Sequence, residues 1–165
     1  LLGIFEPDCM ALGRWWASST ARRSCRGGYG VLPVPAELPG ALDTLDAMLD
    51  GSRSAFETFL RIPLPARRRN IELDWKDYDD LGYLSGHSVG EAESAMFDAL
   101  VQTHASLDIP LIILSAGQLD APQLGELFYF LELTAALCAA ADGLNPFDRK
   151  RSSPTRAQAA ALLRG

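Results

Sequence analysis

The chain has 165 residues, enough for one well-buried core, and its 48% hydrophobic and 22% charged residues exclude a globally disordered polypeptide. Its net charge of −6 argues against nucleic acid or an anionic membrane as the general partner, because both select basic surfaces.

No apolar run approaches the roughly 20 residues of a membrane span, and the opening LLGIFEPDC has no basic n-region. A cytoplasmic protein without a membrane partner is therefore expected. Cys9, Cys25 and Cys138 are odd in number and lack C-x-x-C spacing, so reduced thiols are expected rather than a disulfide framework or a zinc site. The first residue is not methionine, and a fragment or processed product with an absent upstream segment is expected.

In chain order, LLGIF has the apolar run of a buried strand, and Pro7 and Asp8 open a helix expected to reach Ser18, with Met10, Leu12, Trp15 and Trp16 on a broad apolar face. YGVLPV is a second strand candidate, limited by Pro33. Leu42, Leu45, Met48 and Leu49 have helical spacing, and Gly51 stands where a C-terminal cap would be. FETFLRI follows as a strand with Phe56, Thr58, Leu60 and Ile62 on one face, and NIELD is a weaker strand beyond the PLPARRR turn.

Ser88 and Glu91 form an S-x-x-E capping box before a helix carrying Val89, Ala92, Met96, Ala99, Leu100 and Thr103, expected to end near His104. IPLIILSA has the continuous β-rich pattern of a strand buried on both faces of a parallel sheet. Asp120 and Pro122 start a further helix in which Leu124, Leu127, Phe128, Leu131, Ala135 and Cys138 recur at three- and four-residue spacing until Gly143. Alternating strands and helices imply an α/β fold, a three-layer αβα sandwich with a mostly parallel sheet. One domain over residues 1–148 is expected, followed by a C-terminal arm over 149–165 that is helical or partly disordered.

IPLIILSAGQLDAPQLGELFYFLELTAALCAAADGLNPFD resembles the closing part of phosphoglucose isomerase, with its G-x-L-x-Y-F-x-E helix followed by G-V-N-P-F-D. Upstream, EPDCMALGRWW, GSRSAFETFLRI and DDLGYLSGHSV resemble that family's helix with tandem tryptophans, its R-x-x-F-E-T strand and its D-G-L-N-Y-L-A-G-K-T turn. The resemblance spans nearly the whole chain. It implies the second of the family's two sugar-isomerase (SIS) domains, with the first domain and its Ser/Thr/Gly-rich phosphate loop missing.

The resemblance further implies interconversion of glucose 6-phosphate and fructose 6-phosphate without metal or cofactor. A glutamate base shuttles the proton through an enediol while a histidine and a lysine assist. Carried over position by position, the base falls on Arg22, the histidine on Leu42 or Asp43, and the lysine on Arg156. An arginine stays protonated at any workable pH and cannot serve as the base, and no Asp or Glu occurs between Trp16 and Gly30.

Two functional classes follow: a non-catalytic SIS-fold module that binds a sugar phosphate or a protein partner, or one component of an isomerase completed by a missing N-terminal SIS domain or second chain. A homodimer is a further expectation from the family. Arg22, Arg23, Arg26, His104 and Arg149 are the candidate substrate or anion ligands, the arginines if the first and third basic clusters converge. His104, in THASLDIP where the family has A-H-T-D-G-G-V-P, is expected to keep a family role at the end of its helix; His87 reads as a solvated surface residue.

Overall fold

The computed structural model describes residues 1–24, 30–49, 56–62, 70–72, 77, 80–117, 120–147 and 153–164. They fall into two compact units, one of Leu1–Arg14 with Val34–Leu127 and one of Trp15–Pro33 with Phe128–Gly165.

The first unit is built on four parallel strands, β1 (Leu2–Ile4), β2 (Pro35–Glu37), β3 (Glu57–Arg61) and β4 (Leu111–Ser115), in the order β2-β1-β3-β4. Parallel neighbours need crossovers, and the helices supply them: α1 (Met10–Ser24) and α2 (Leu42–Leu49) follow β1 and β2, and α3 (Val89–Ser106) lies between β3 and β4. All three residues of β1 are buried. Gly3 is required there, because a Cβ at that position would stand 2.6 Å from the Phe59 ring and 2.8 Å from Leu38. The ring of Phe59 thus packs directly over the β1 backbone, within a cluster of Leu38, Leu45, Phe97 and Leu100. Phe97 meets both Phe5 and Phe59 edge-on, at 5.5 and 6.2 Å between ring centroids.

Several expectations are corrected. The second strand starts at Pro35 rather than within residues 29–34. The Leu2 N–H donates to the Val34 carbonyl at 2.8 Å, and a proline as first residue of an edge strand costs no ladder bond. On β3 the buried set is not the single face Phe56, Thr58, Leu60: Glu57, Phe59 and Leu60 are buried while Phe56 is exposed, because β1 and β4 flank this strand and apolar groups cover both faces. NIELD contributes one antiparallel bridge, Asn70 to Ser88, and residues 73 and 74 lie outside the described set. Gly51 and the whole PLPARRR turn also lie outside it.

The capping box is present in full. Ser88 Oγ accepts from the Glu91 N–H at 3.2 Å, and the Ser88 N–H donates to Glu91 Oε2 at 2.7 Å. The helix then buries Phe97, Leu100 and His104 rather than Met96 and Ala99, because the Phe59 cluster sets its rotation, and it continues to Ser106. The expectation for β4 also needs correction. It is an edge strand, with Ile112 and Ile113 51% and 41% exposed, because no fifth strand lies beyond it among the described residues.

The second unit contains the later turns of α1, which runs to Ser24 and not Ser18, those of α4 (Ala121–Ala141), and α5 (Pro154–Leu162). Asp120 Oδ1 accepts from the Gln123 N–H at the start of α4. At its end Gly143, with φ +72°, allows the Leu144 N–H to reach the Ala139 carbonyl and its own N–H the Ala140 carbonyl, closing a Schellman motif. Ser153 caps α5 and Pro154 opens it. Trp15 lies edge-on against Phe128 at 4.4 Å, the packing role expected of it. By length and composition α4 could cross a membrane, which corrects the expectation that no segment approaches a span. Its Leu131, Ala135 and Ala139 are buried in the protein.

The close approach at Gly3 gives a direct test. Gly3→Ala should destabilise the chain by about 1–3 kcal/mol through overpacking against Phe59, read as a lower urea midpoint, and Phe59→Leu in the same chain should recover part of the loss.

Candidate functional site

The sheet's amino end carries a buried polar pair. Glu57, first residue of β3, is 2% exposed, and His104, in the last turns of α3, is fully buried. His104 Nδ1–H donates to Glu57 Oε2 at 2.5 Å, while Nε2 faces Asp46 Oδ1 at 3.9 Å, too far for a direct hydrogen bond. The His104 carbonyl accepts from the N–H groups of Leu107 and Ile109, so the same residue also ends the helix. In parallel α/β sheets ligands collect at the carboxyl ends of the strands. This pair lies at the opposite end and serves to tie α3 to β3.

The carboxyl end of β3 carries Arg61, whose guanidinium lies 4.7 Å from the Phe97 ring centroid and 3.3 Å from Ser94 Oγ. Asp43 is exposed in the first turn of α2 within the same unit.

In the second unit the basic residues of α1 meet α4. Arg23 makes a two-pronged ion pair with Glu132, whose Oε1 also accepts from Ser19 Oγ at 2.7 Å. Partial burial pushes the Glu132 carboxyl up, but the hydrogen bonds from Arg23 and Ser19 outweigh it, with help from the Arg22 charge, and hold the group below its ordinary range. Glu132 is therefore an acceptor already in use. Arg22 is exposed on the last turn of α1, and Arg156 is exposed on α5. Arg26 and Arg149 lie outside the described residues, so of the four candidate anion ligands on basic clusters only Arg22 and Arg23 are placed. Among the described residues no cluster of three His, Cys, Asp or Glu side chains could hold a metal.

The geometry makes the comparisons with known proteins informative. A glucose-6-phosphate isomerase of Listeria monocytogenes is 28% identical over 99% of this chain, that of Enterococcus faecalis 27% over 96%, and that of Staphylococcus epidermidis 29% over 96%. The chain is a homologue of glucose-6-phosphate isomerase. It spans 36% of the length of these curated relatives. No protein-family model matches it. A solved structure of a hypothetical protein from Thermus thermophilus superposes with a TM-score of 0.79 at 16% identity, covering 99% of this chain and 41% of that one. That likeness concerns the fold and supports the SIS-like αβα arrangement.

Two residues absent from the candidates carry most of the site's electrostatics. Glu57 is the glutamate of the stretch resembling R-x-x-F-E-T, and Glu132 that of the stretch resembling G-x-L-x-Y-F-x-E. The signal was therefore present in the motifs, but nothing in their spacing named the partners His104 and Arg23.

Both pairs can be tested by stability. His104→Phe leaves a buried carboxylate without its donor and should cost about 1.5–3 kcal/mol, whereas Glu57→Leu combined with His104→Phe should recover much of that in chemical denaturation. For Glu132, whose folded value is depressed, the contribution is present above the ordinary carboxylate value of 4.5 and is lost as pH falls through the folded value. Thermal melts from neutral to acid pH should therefore show a steeper acid loss in the parent chain than in Glu132→Gln.

Proposed function

We propose that this chain is a SIS-fold module related to glucose-6-phosphate isomerase that is non-catalytic by itself and acts by joining further polypeptide. One observation carries the reading. Where the resemblance places the turn bearing the family's base, this chain continues α1 as regular helix through Arg22 and Arg23, and Arg23 is engaged by Glu132 and Ser19. A protonated guanidinium cannot abstract a proton from a sugar carbon, and an occupied one is poorly placed to hold a phosphate. Asp43 and Arg156 stand at the other two catalytic positions that the resemblance assigns.

The need for further polypeptide is supported by length and by surface. The relatives are covered over only 36% of their length. On α4, Tyr129, Leu133 and Leu137 form an exposed apolar stripe at four-residue spacing, with Phe130 beside it. We assign that stripe to the polypeptide corresponding to the remaining length of the relatives, as a partner domain in the cytoplasm. A second reading, a component of an active isomerase, draws on the same coverage: the partner would then supply the base and the phosphate loop.

An NMR titration of the isotopically labelled chain with millimolar glucose 6-phosphate tests the reading. No fructose 6-phosphate should form above a protein-free control, and the amides of Ser19–Arg23 should not move. Turnover by the chain alone overturns the proposal. Activity that appears only on co-expression with the unmatched portion of the Listeria monocytogenes relative would favour the second reading.

A further inference from the structure

His104 has a second ring nitrogen that its bond to Glu57 does not use. Nδ1–H donates to Glu57 Oε2, while Nε2 is buried and has no hydrogen-bond partner among the described residues. It faces Asp46 Oδ1, on α2, across 3.9 Å. The imidazole therefore stands between two carboxylates from different elements, one buried and one 65% exposed.

The number of N–H groups on the ring decides what this arrangement does. A neutral imidazole has one, and with that proton given to Glu57 its Nε2 turns a lone pair toward the Asp46 carboxylate. Two acceptors then face each other, and nothing holds Asp46 to the ring. A second proton reverses the interaction, because Nε2 becomes a donor and the ring a cation between two anions. The 3.9 Å separation is an ion-pair distance, and an exposed aspartate can shorten it by a change of rotamer.

The element that this contact controls is α2. It has eight residues, too few to be a stable helix alone, so tertiary contacts hold it in place. Among its described side chains only Leu45 is buried, with Leu42 partly buried against the same Phe59 cluster. Asp46 adds a polar tie one residue further on. Asp43, at the position the resemblance gives to the family's histidine, rides in the first turn of the same helix.

We propose that Glu57, His104 and Asp46 form a pH-sensitive latch for α2: the doubly protonated imidazole holds α2 against the end of α3, and loss of the second proton releases it while the Glu57 bond stays. The other groups around the ring are few. β3 contributes Glu57 and the uncharged ring of Phe59, at 6.2 Å between ring centroids. Ahead of β1 stands the Leu1 amino group, which burial lowers and the Glu57 charge raises. The last turn of α3, Thr103 to Ser106, has no other titratable side chain, and the carbonyls gathered at that end favour a cation. The latch is thus closed on the acid side of the ring's titration, as long as Asp46 is ionised, and open on the alkaline side.

Amide exchange of the full chain, followed by NMR over a pH series from mildly acid to mildly alkaline with the imidazole nitrogens observed in the same samples, tests the latch. His87→Gln removes the only other imidazole of the chain and leaves one ring to follow. Protection is taken relative to the unstructured exchange rate at each pH. As the ring loses its second proton, the amides of Leu45, Asp46 and Ala47 should lose protection about two- to fivefold, the size expected of a largely exposed ion pair. Those of Phe97 and Leu100 should keep theirs. Asp46→Asn, at an exposed position, should retain the fold by circular dichroism and abolish the step although the ring still titrates. A ring whose proton count never changes, a parent chain without the step, or a step that survives Asp46→Asn overturns the proposal.

Discussion

A carboxylate placed inside a sheet must be given a donor, and much of the first unit is arranged around that requirement. Glu57 opens the central strand β3 and is buried. Without the imidazole of His104 it would lose its hydration and the hydrogen bond that replaces it, a loss larger than most single side-chain contacts contribute. The donor arrives from the far end of α3, whose first residue is Val89, so the helix must have a defined rotation and a defined stop. The Ser88–Glu91 box fixes its start, Phe97 and Leu100 fix its rotation against Phe59, and the His104 carbonyl takes the N–H groups that end it. Gly3 completes the set by letting Phe59 lie flush on β1. The motif residues Glu57 and His104 thus hold α3 to β3.

The second unit shows how a basic segment can be accommodated where the isomerase resemblance would have a base. Continuing α1 through Ser24 brings Arg23 within reach of Glu132, and the ion pair has the two-pronged geometry that suits a guanidinium and a carboxylate. Partial exposure limits what the pair adds to stability. It engages both groups with each other.

The α/β class, the capping box, the Gly143 stop and the alternation of strands and helices were legible because each rests on local backbone chemistry. The resemblance to glucose-6-phosphate isomerase was legible because its motifs kept their order. What could not be read was decided by tertiary neighbours. The buried positions of α3 depend on where Phe59 stands, and the two-sided burial of β3 depends on the side chains packed over both faces of the sheet. The start of β2 at Pro35 depends on β1 offering the Leu2 N–H to Val34. The site was legible only in part: Arg22 and Arg23 stood out by charge, but the partner of Arg23 is more than a hundred residues away in sequence.

Two of the differences between pattern and structure have the same sign. IPLIILSA has the composition of a strand covered on both faces, yet β4 leaves Ile112 and Ile113 half exposed. The α4 segment is apolar around much of its circumference, yet buries Leu131, Ala135 and Ala139 and leaves Tyr129, Leu133 and Leu137 in solvent. Sequence patterns register the burial under which a side chain is stable, and exposed apolar surface on this scale costs solubility without adding to the fold. Both segments therefore leave exposed apolar side chains that their patterns would place in a core. The β2 edge carries a proline and a glutamate instead, and the large apolar side chains left exposed elsewhere, Leu32, Tyr83, Phe147 and Leu163 among them, stand in loops, in a short helical turn and at the chain's end rather than along a strand.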